Sequence, residues 1–333
     1  MSISFPWQSW SPVKHSLFRM PRDYCPVVEV APENKKPANF KLKSKIFGWC
    51  SWHTFGTHIN KKNILEQLKK IKKEYPKVKY ILIDDGWCKW GDWQDPFRHK
   101  FFNGLSSISK HIKKNNFKIG LWFAPFLVSP DSKLALEHGD WLVKDKKGRL
   151  VEGMQATFLD KFLPWKKYIL NYELPEVKEY IKHTLDIMVT NWQVDLLKLD
   201  FLYAPYFDPK LKDDKLPNSY LRDIFVYLKK KYPHVYIMAC GCPYKPAKYL
   251  VDSIRISCDI TIPQLYNIPF LAKFIHKKSL NQLQKNWESL QPLAKYFNLD
   301  PDAFLPQNIT KFNYKEHGLY SKIILESKVF FYG

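Results

Sequence analysis

Apolar residues fall along this chain in two alternating patterns. In the first they form short runs: Ile46–Trp52, Lys79–Asp85, Lys118–Ala124, Asp195–Phe201, Val235–Ala239, Ile254–Ser257 and Val329–Tyr332. Runs of this length read as buried strands. In the second pattern apolar positions return every three or four residues. Asn63–Tyr75 shows it, with Ile64, Leu65, Leu68 and Ile71 between charges, as do Ile108–Asn115, Glu176–Asn191 and Tyr220–Lys231. These stretches read as amphipathic helices, and Pro175 immediately before Glu176 is a start signal. A short helical link is expected to begin at Ala247–Leu250. Strand then helix, repeated about eight times, implies parallel strands joined by crossover helices. Within 333 residues that repetition favours a closed (β/α)8 TIM barrel over an open sheet. Residues 1–44 are Pro-rich, contain Trp7 and Trp10 and show no period, so an irregular N-terminal arm is expected ahead of a catalytic barrel spanning 45–333.

Chemistry in such barrels sits where the strands end at their C-terminal side. The strand ends here read Trp49-Cys50-Ser51-Trp52, Asp84-Asp85-Gly86-Trp87, Trp122-Phe123-Ala124-Pro125, Lys198-Leu199-Asp200-Phe201, Cys240-Gly241-Cys242-Pro243 and Arg255-Ile256-Ser257-Cys258-Asp259. Side chains two apart on a strand share a face. Lys198 therefore points with Asp200, and Arg255 with Ser257 and Asp259. Charges aimed into a barrel are costly unless they pair or meet a polar ligand. Two acids on separate strands, facing one another, are what retaining glycoside hydrolysis needs. Trp faces stack on sugar rings, and adjacent carboxylates accept hydrogen bonds from vicinal hydroxyls.

These six motifs, in this order, resemble those of glycoside hydrolase family 36, which holds α-galactosidases, α-N-acetylgalactosaminidases and the raffinose-synthase group. The resemblance runs from about Ile46 to Val329. It implies double displacement with retention: Asp200 as nucleophile, its ionised form favoured by Lys198 nearby, and Asp259 as acid/base with a raised pKa. It further implies that Asp84 and Asp85 hold the 4- and 6-hydroxyls of galactose, that Lys198 and Arg255 contact hydroxyls near the reacting centre, that Trp52 and Trp122 wall the pocket, and that Cys240 approaches the 2-hydroxyl. No cofactor and no metal are implied. The expected substrate is an α-galactoside or oligosaccharide; alternatives are a raffinose-synthase-type galactosyl transglycosidase and a non-catalytic sugar-binding subunit. Family members carry β-sandwich domains on both sides of the barrel, for which this sequence has no room, and it stops just after Val329–Tyr332, the expected strand eight. The expectation is a barrel without its last helix, either a fragment of a longer protein or, the favoured reading, one completed by a second polypeptide in a hetero-oligomer.

Competing readings of the same residues are plainer. Asp84-Asp85 could be a solvated strand-end turn, Lys198–Asp200 a structural ion pair, and Trp87, Trp90 and Trp93 a packed roof. His53 and His58 default to surface or pocket-rim histidines. Cys240, Cys242 and Cys258 could bind a metal, but Cys-x-Cys is an unusual zinc spacing and no fourth ligand is evident.

Charge changes this picture little. The net charge is +21, with 53 basic residues, but nearly all are Lys, in short runs on expected helix faces. Base readout calls for Arg clusters, so a nucleic-acid partner is not expected. No apolar run reaches the length of about 18 residues that spans a membrane. The first ten residues do not read as a signal peptide, and the six cysteines form no paired framework, so a cytoplasmic location with free thiols is the expectation.

Overall fold

The computed structural model describes residues 36, 40–154, 166–261, 269–310 and 312–333. Most of the expected N-terminal arm over 1–44, including Trp7 and Trp10, lies outside the described residues (1–35 and 37–39). The apolar runs become parallel strands: β1 (Ile46–Cys50), β2 (Tyr80–Ile83), β3 (Lys118–Phe123), β4 (Leu196–Leu199), β5 (Tyr236–Ala239) and β6 (Ser253–Arg255). Two short pieces, Asn298–Asp300 and Ala303–Phe304, are treated together as β7, and Val329–Tyr332 is β8. The first piece of β7 pairs with β6 and the second with β8, which in turn pairs with β1. One bent segment thus joins the two ends of the sheet, and the order of strands is that of an α/β TIM barrel.

The helices are α1 (Lys61–Glu74), α2 (Gly104–Lys114), α3 (Pro175–Asp186), α4 (Lys215–Lys231), α5 (Pro269–Leu290) and α6 (Tyr314–Glu326). Each of α1 to α4 covers the stretch whose period predicts it, with ends moved by a few residues. Asn60 and Asn63 form a reciprocal cap at the start of α1, each backbone N–H donating to the other's side chain at 2.9 and 3.0 Å; such a cap stabilises a helix by about 1 kcal/mol. The link between β5 and β6 is a single helical turn, Tyr244–Ala247, slightly earlier than expected. After β3 the chain departs to make a small antiparallel sheet of Leu127–Val128, Lys167–Ile169 and Glu152–Met154. Among the described residues no helix is long and apolar enough to cross a membrane.

Alternation along the strands divides the core into two layers. Ile46, Leu82, Leu196, Tyr236, Met238, Val329 and Phe331 fill the barrel. Ile81, Leu121, Leu197, Ile237, Ile254 and Leu299 face outward to meet Ile64, Leu68, Ile108, Val177 and Ile224 of the helices. Gly48 is required by this packing, since a β-carbon there would lie 2.2 Å from the Phe331 ring. The same parity, continued to the strand ends, brings Cys50, Asp84, Lys198, Asp200, Cys240, Arg255 and Asp300 to the inner side of one mouth.

Candidate active site

The two ends of that mouth are built differently. On the β2–β4 side, Lys198 reaches past the intervening β3 and donates to Asp84 Oδ2 at 2.8 Å, both side chains being buried. The Cys50 thiol lies 3.4 Å from the same oxygen. The second oxygen of Asp84 accepts from the Asp85 amide at 2.9 Å, and the Asp84 amide donates to Ser51 Oγ at 2.9 Å. Burial opposes the charge on Lys198, but Asp84 outweighs it and the ammonium is held well above its ordinary pKa. The alternative reading of Lys198 and Asp200 as a structural ion pair is thereby corrected. The ion pair of Lys198 is with Asp84, because β4 and β2 flank β3 and their inward side chains meet inside the barrel over that strand.

Asp200 is instead held by neutral donors. Trp122 Nε1 donates to Oδ2 at 3.0 Å and the Phe201 amide donates to Oδ1 at 2.7 Å. Phe201 has φ of +52°, a conformation uncommon for a bulky residue, kept by its surroundings. That turn is what lets the Phe201 N–H double back onto the Asp200 carboxylate. Asp85 is also fixed through one oxygen: Gly86 N–H and Trp90 Nε1 donate to Oδ1 at 2.6 and 2.8 Å. Burial raises the Asp85 carboxyl to about 6. Neither Asp84 nor Asp85 is a solvated turn. Trp87 and Trp93 are fully buried packing residues, as the plainer reading had it, whereas Trp90 bonds Asp85. Trp90 packs against both Trp122 and Phe201, with ring centroids at 4.9 and 5.2 Å. Trp52 packs partly buried against the barrel interior, and Cys240 is buried within that interior, its thiol pushed up by burial.

On the β6–β7 side, one guanidinium serves three carboxylates. Arg255 Nε donates to Asp300 at 2.9 Å, and Nη1 lies 2.9 Å from Asp302 and 3.2 Å from Asp259. Asp259 keeps 38% of its side chain exposed while Arg255, Asp300 and Asp302 do not exceed 10%. Burial, then the charge of Asp302, raises the Asp259 carboxyl to about 6 against the pull of Lys198, Arg255 and His53. Water reaching the exposed third moderates that rise. Asp302 behaves oppositely: burial would raise it, but Arg255 and then His53 hold it below the usual carboxylate range.

His53 corrects a sequence expectation. It is no rim residue but is buried at 4% exposure, because the single turn Trp52–Phe55 after β1 tucks it under the mouth. Its Nδ1 is 3.1 Å from Thr261 Oγ1 and its Nε2 is 3.3 Å from Asp302 Oδ1. Asp300, Asp302 and His53 are the residues that the motif reading missed. Asp300 and Asp302 had a signal: they repeat the two-apart spacing of Lys198 and Asp200 after an apolar residue, Leu299. The five described cysteines are free and buried, and no group able to hold a metal occurs among the described residues. Surface recesses of about 430 and 770 Å³ lie elsewhere, against Trp287 and against His58, and contain none of these charges.

Comparison with known proteins places this geometry. A family model described as Melibiase matches residues 34–244, more than half of the chain. An α-galactosidase of Escherichia coli is 26% identical over 175 residues, which is 49% of this chain and 23% of that protein. Alpha-galactosidase 2 of Hypocrea jecorina is 26% identical over 212 residues, 57% of this chain and 26% of that protein. The chain thus spans about a quarter of the length of the curated relatives it matches. Among solved structures, an α-galactosidase of Thermus thermophilus in complex with p-nitrophenyl α-D-galactopyranoside superposes with a TM-score of 0.72 at 25% identity, covering 88% of this chain and 58% of that one. A family 36 α-galactosidase of Geobacillus stearothermophilus, in complex with raffinose, shares the fold at a TM-score of 0.61 and 16% identity, covering 88% and 39%. The family match ends before β6, so Arg255 and Asp259 lie beyond it.

Proposed function

The chain belongs to the Melibiase family, and from that premise we propose that it releases terminal α-linked galactose by double displacement with retention. The observation that carries this reading is the contrast between two inward carboxylates at the ends of β4 and β6. Asp200 is fixed through both oxygens by N–H donors. Among the described residues Asp259 accepts only from Arg255, on Oδ1; its side chain stays partly exposed, and burial raises its carboxyl to about 6. Asp200 is the nucleophile. It attacks the anomeric carbon as the C–O bond to the leaving group breaks, and Asp259 gives its proton to the departing oxygen. The resulting galactosyl ester on Asp200 is then cleaved by water, whose proton Asp259 takes back. Retention follows from two inversions at one carbon.

The remaining residues take supporting roles in this proposal. Asp84 and the Oδ2 oxygen of Asp85, which bonds no described residue, accept the sugar's 4- and 6-hydroxyls. Lys198 and Arg255 contact hydroxyls near the reacting carbon, Trp52 and Trp122 form walls, and Cys240 faces the 2-hydroxyl as a neutral thiol. The test is hydrolysis of nitrophenyl α-galactoside beside the β-galactoside, the α-glucoside and the N-acetyl-α-galactosaminide. Preference for the first is expected; turnover of the β-anomer instead would refute the proposed α-specificity, and turnover of the glucoside instead would refute the assignment of Asp84 and Asp85. Repeating the assay with excess sucrose and analysing products separates hydrolysis from galactosyl transfer.

A further inference from the structure

The mouth contains a layer of charge that the proposed chemistry does not use directly. Asp302 stands at the bend in β7 with φ of +82°, a left-handed conformation that an L-residue adopts only when its surroundings impose it. Four contacts impose it here. The Asp302 amide donates to Asp300 Oδ1 at 3.0 Å, and the Ile260 amide donates to Asp302 Oδ2 at 2.8 Å. Arg255 Nη1 and His53 Nε2 both meet Asp302 Oδ1, at 2.9 and 3.3 Å. The carboxylate is therefore locked between β6, β7 and the turn after β1. The same guanidinium nitrogen that holds it also holds Asp259 Oδ1. Ile260, whose amide fixes Asp302, is the neighbour of Asp259 in the chain. Asp302 thus reaches Asp259 along two short routes.

We propose that Asp302 and His53 are a positioning pair for the acid/base: through Arg255 and the Ile260 amide they aim Asp259 Oδ2 at the leaving group and keep one negative and one imidazole group at fixed places beside it. This deepens the function proposed above and rests on Asp259 as the acid/base. A bare Arg255 would bind Asp259 tightly and favour its charged form. Asp300 and Asp302 share the guanidinium, so Asp259 receives one N–H rather than a full bidentate clasp. Its second oxygen then keeps the proton for transfer. The groups that face Asp259 are Arg255 from β6, Asp302 from β7, Lys198 from β4 and His53 from the turn after β1. Asp302 opposes loss of the Asp259 proton, whereas the other three favour it.

The signs make a test that does not need turnover. Selective 13C-aspartate labelling follows the Asp259 carboxyl through a pH titration of the full chain, with the spectrum of Asp259→Asn identifying the signal. Asp302→Asn keeps a residue that tolerates the left-handed backbone and removes the charge; it should lower the Asp259 midpoint by about one pH unit. His53→Gln keeps a donor for Asp302 and removes the imidazole; it should raise the midpoint. General loosening of the site would admit water and lower both, so opposite shifts are the signature of positioning. Thermal melts show whether each variant folds; if Asp302→Asn does not, His53→Gln carries the test alone. A midpoint that stays put in a folded Asp302→Asn, or falls in His53→Gln, overturns the proposal. Failure of wild-type protein to cleave any α-galactoside would instead count against the function, leaving these titrations readable.

Discussion

The two sides of the barrel mouth solve the same problem in different ways. At β2–β4 charges are matched singly: Lys198 with Asp84, while Asp200 rests on two neutral N–H groups. At β6–β7 one cation is shared among three carboxylates, with a buried histidine behind them. The difference suits the two roles proposed. A nucleophile held by neutral donors keeps its full charge and its position. An acid must retain its proton, and an excess of negative charge around it does that. Environment, rather than residue type, separates two chemically identical side chains.

Breaking either side should show this asymmetry, with the largest effect at the nucleophile. Asp200→Ala should lower kcat on nitrophenyl α-galactoside by about 10⁴-fold, whatever the leaving group. Asp259→Asn should cost about 10²–10⁴-fold with a sugar leaving group but much less with a nitrophenyl one, which departs without a proton; steady-state kinetics on the two substrate types checks this. Trp122→Phe removes a hydrogen bond to a charged group, worth about 1.5–3 kcal/mol. If that bond matters most in the transition state, kcat/KM falls about 10- to 100-fold.

Lys198→Met probes stability. It leaves Asp84 buried without its cation, and such uncompensated charges cost about 3–5 kcal/mol, read as a lower urea midpoint. Lys198→Met with Asp84→Asn should recover part of the loss, because the two residues share one interaction. The smallest effect is in pH dependence. Asp259 must be protonated to act and is raised to about 6, so kcat/KM should fall tenfold per unit at pH values well above 6. In Asp259→Asn that decline should vanish. Asp85 ionises over the same interval, and Asp85→Asn shows whether any of the profile is its own.

The β2–β4 side was legible in the sequence and the β6–β7 side only partly. Strands β1 to β6 announce themselves by apolar runs, most of them ending in acids, Lys or Trp, and the two-residue spacing put Lys198 with Asp200 and Arg255 with Asp259. What spacing cannot supply is the partner on another strand, so Lys198 was matched to its own strand rather than to Asp84. Strand β7 is broken by Pro301 into pieces of three and two residues, too short for a period to register. Helix α5 mixes Lys, Gln and Asn through its apolar positions, and no regular face stands out over Pro269–Leu290. His53 finds its partners 208 and 249 residues away. Contacts at that separation depend on closure of the whole barrel, and a single sequence carries no local trace of them.

The central claim is that Asp200 and Asp259 act on one anomeric carbon in two successive inversions. Time-resolved proton NMR of α-galactoside cleavage tests it most directly, because the first-formed sugar can be seen before mutarotation. Galactose should appear first as the α-anomer, with the β-anomer growing in later. First appearance of the β-anomer would mean a single displacement by water and would contradict the assignment of Asp200 as nucleophile.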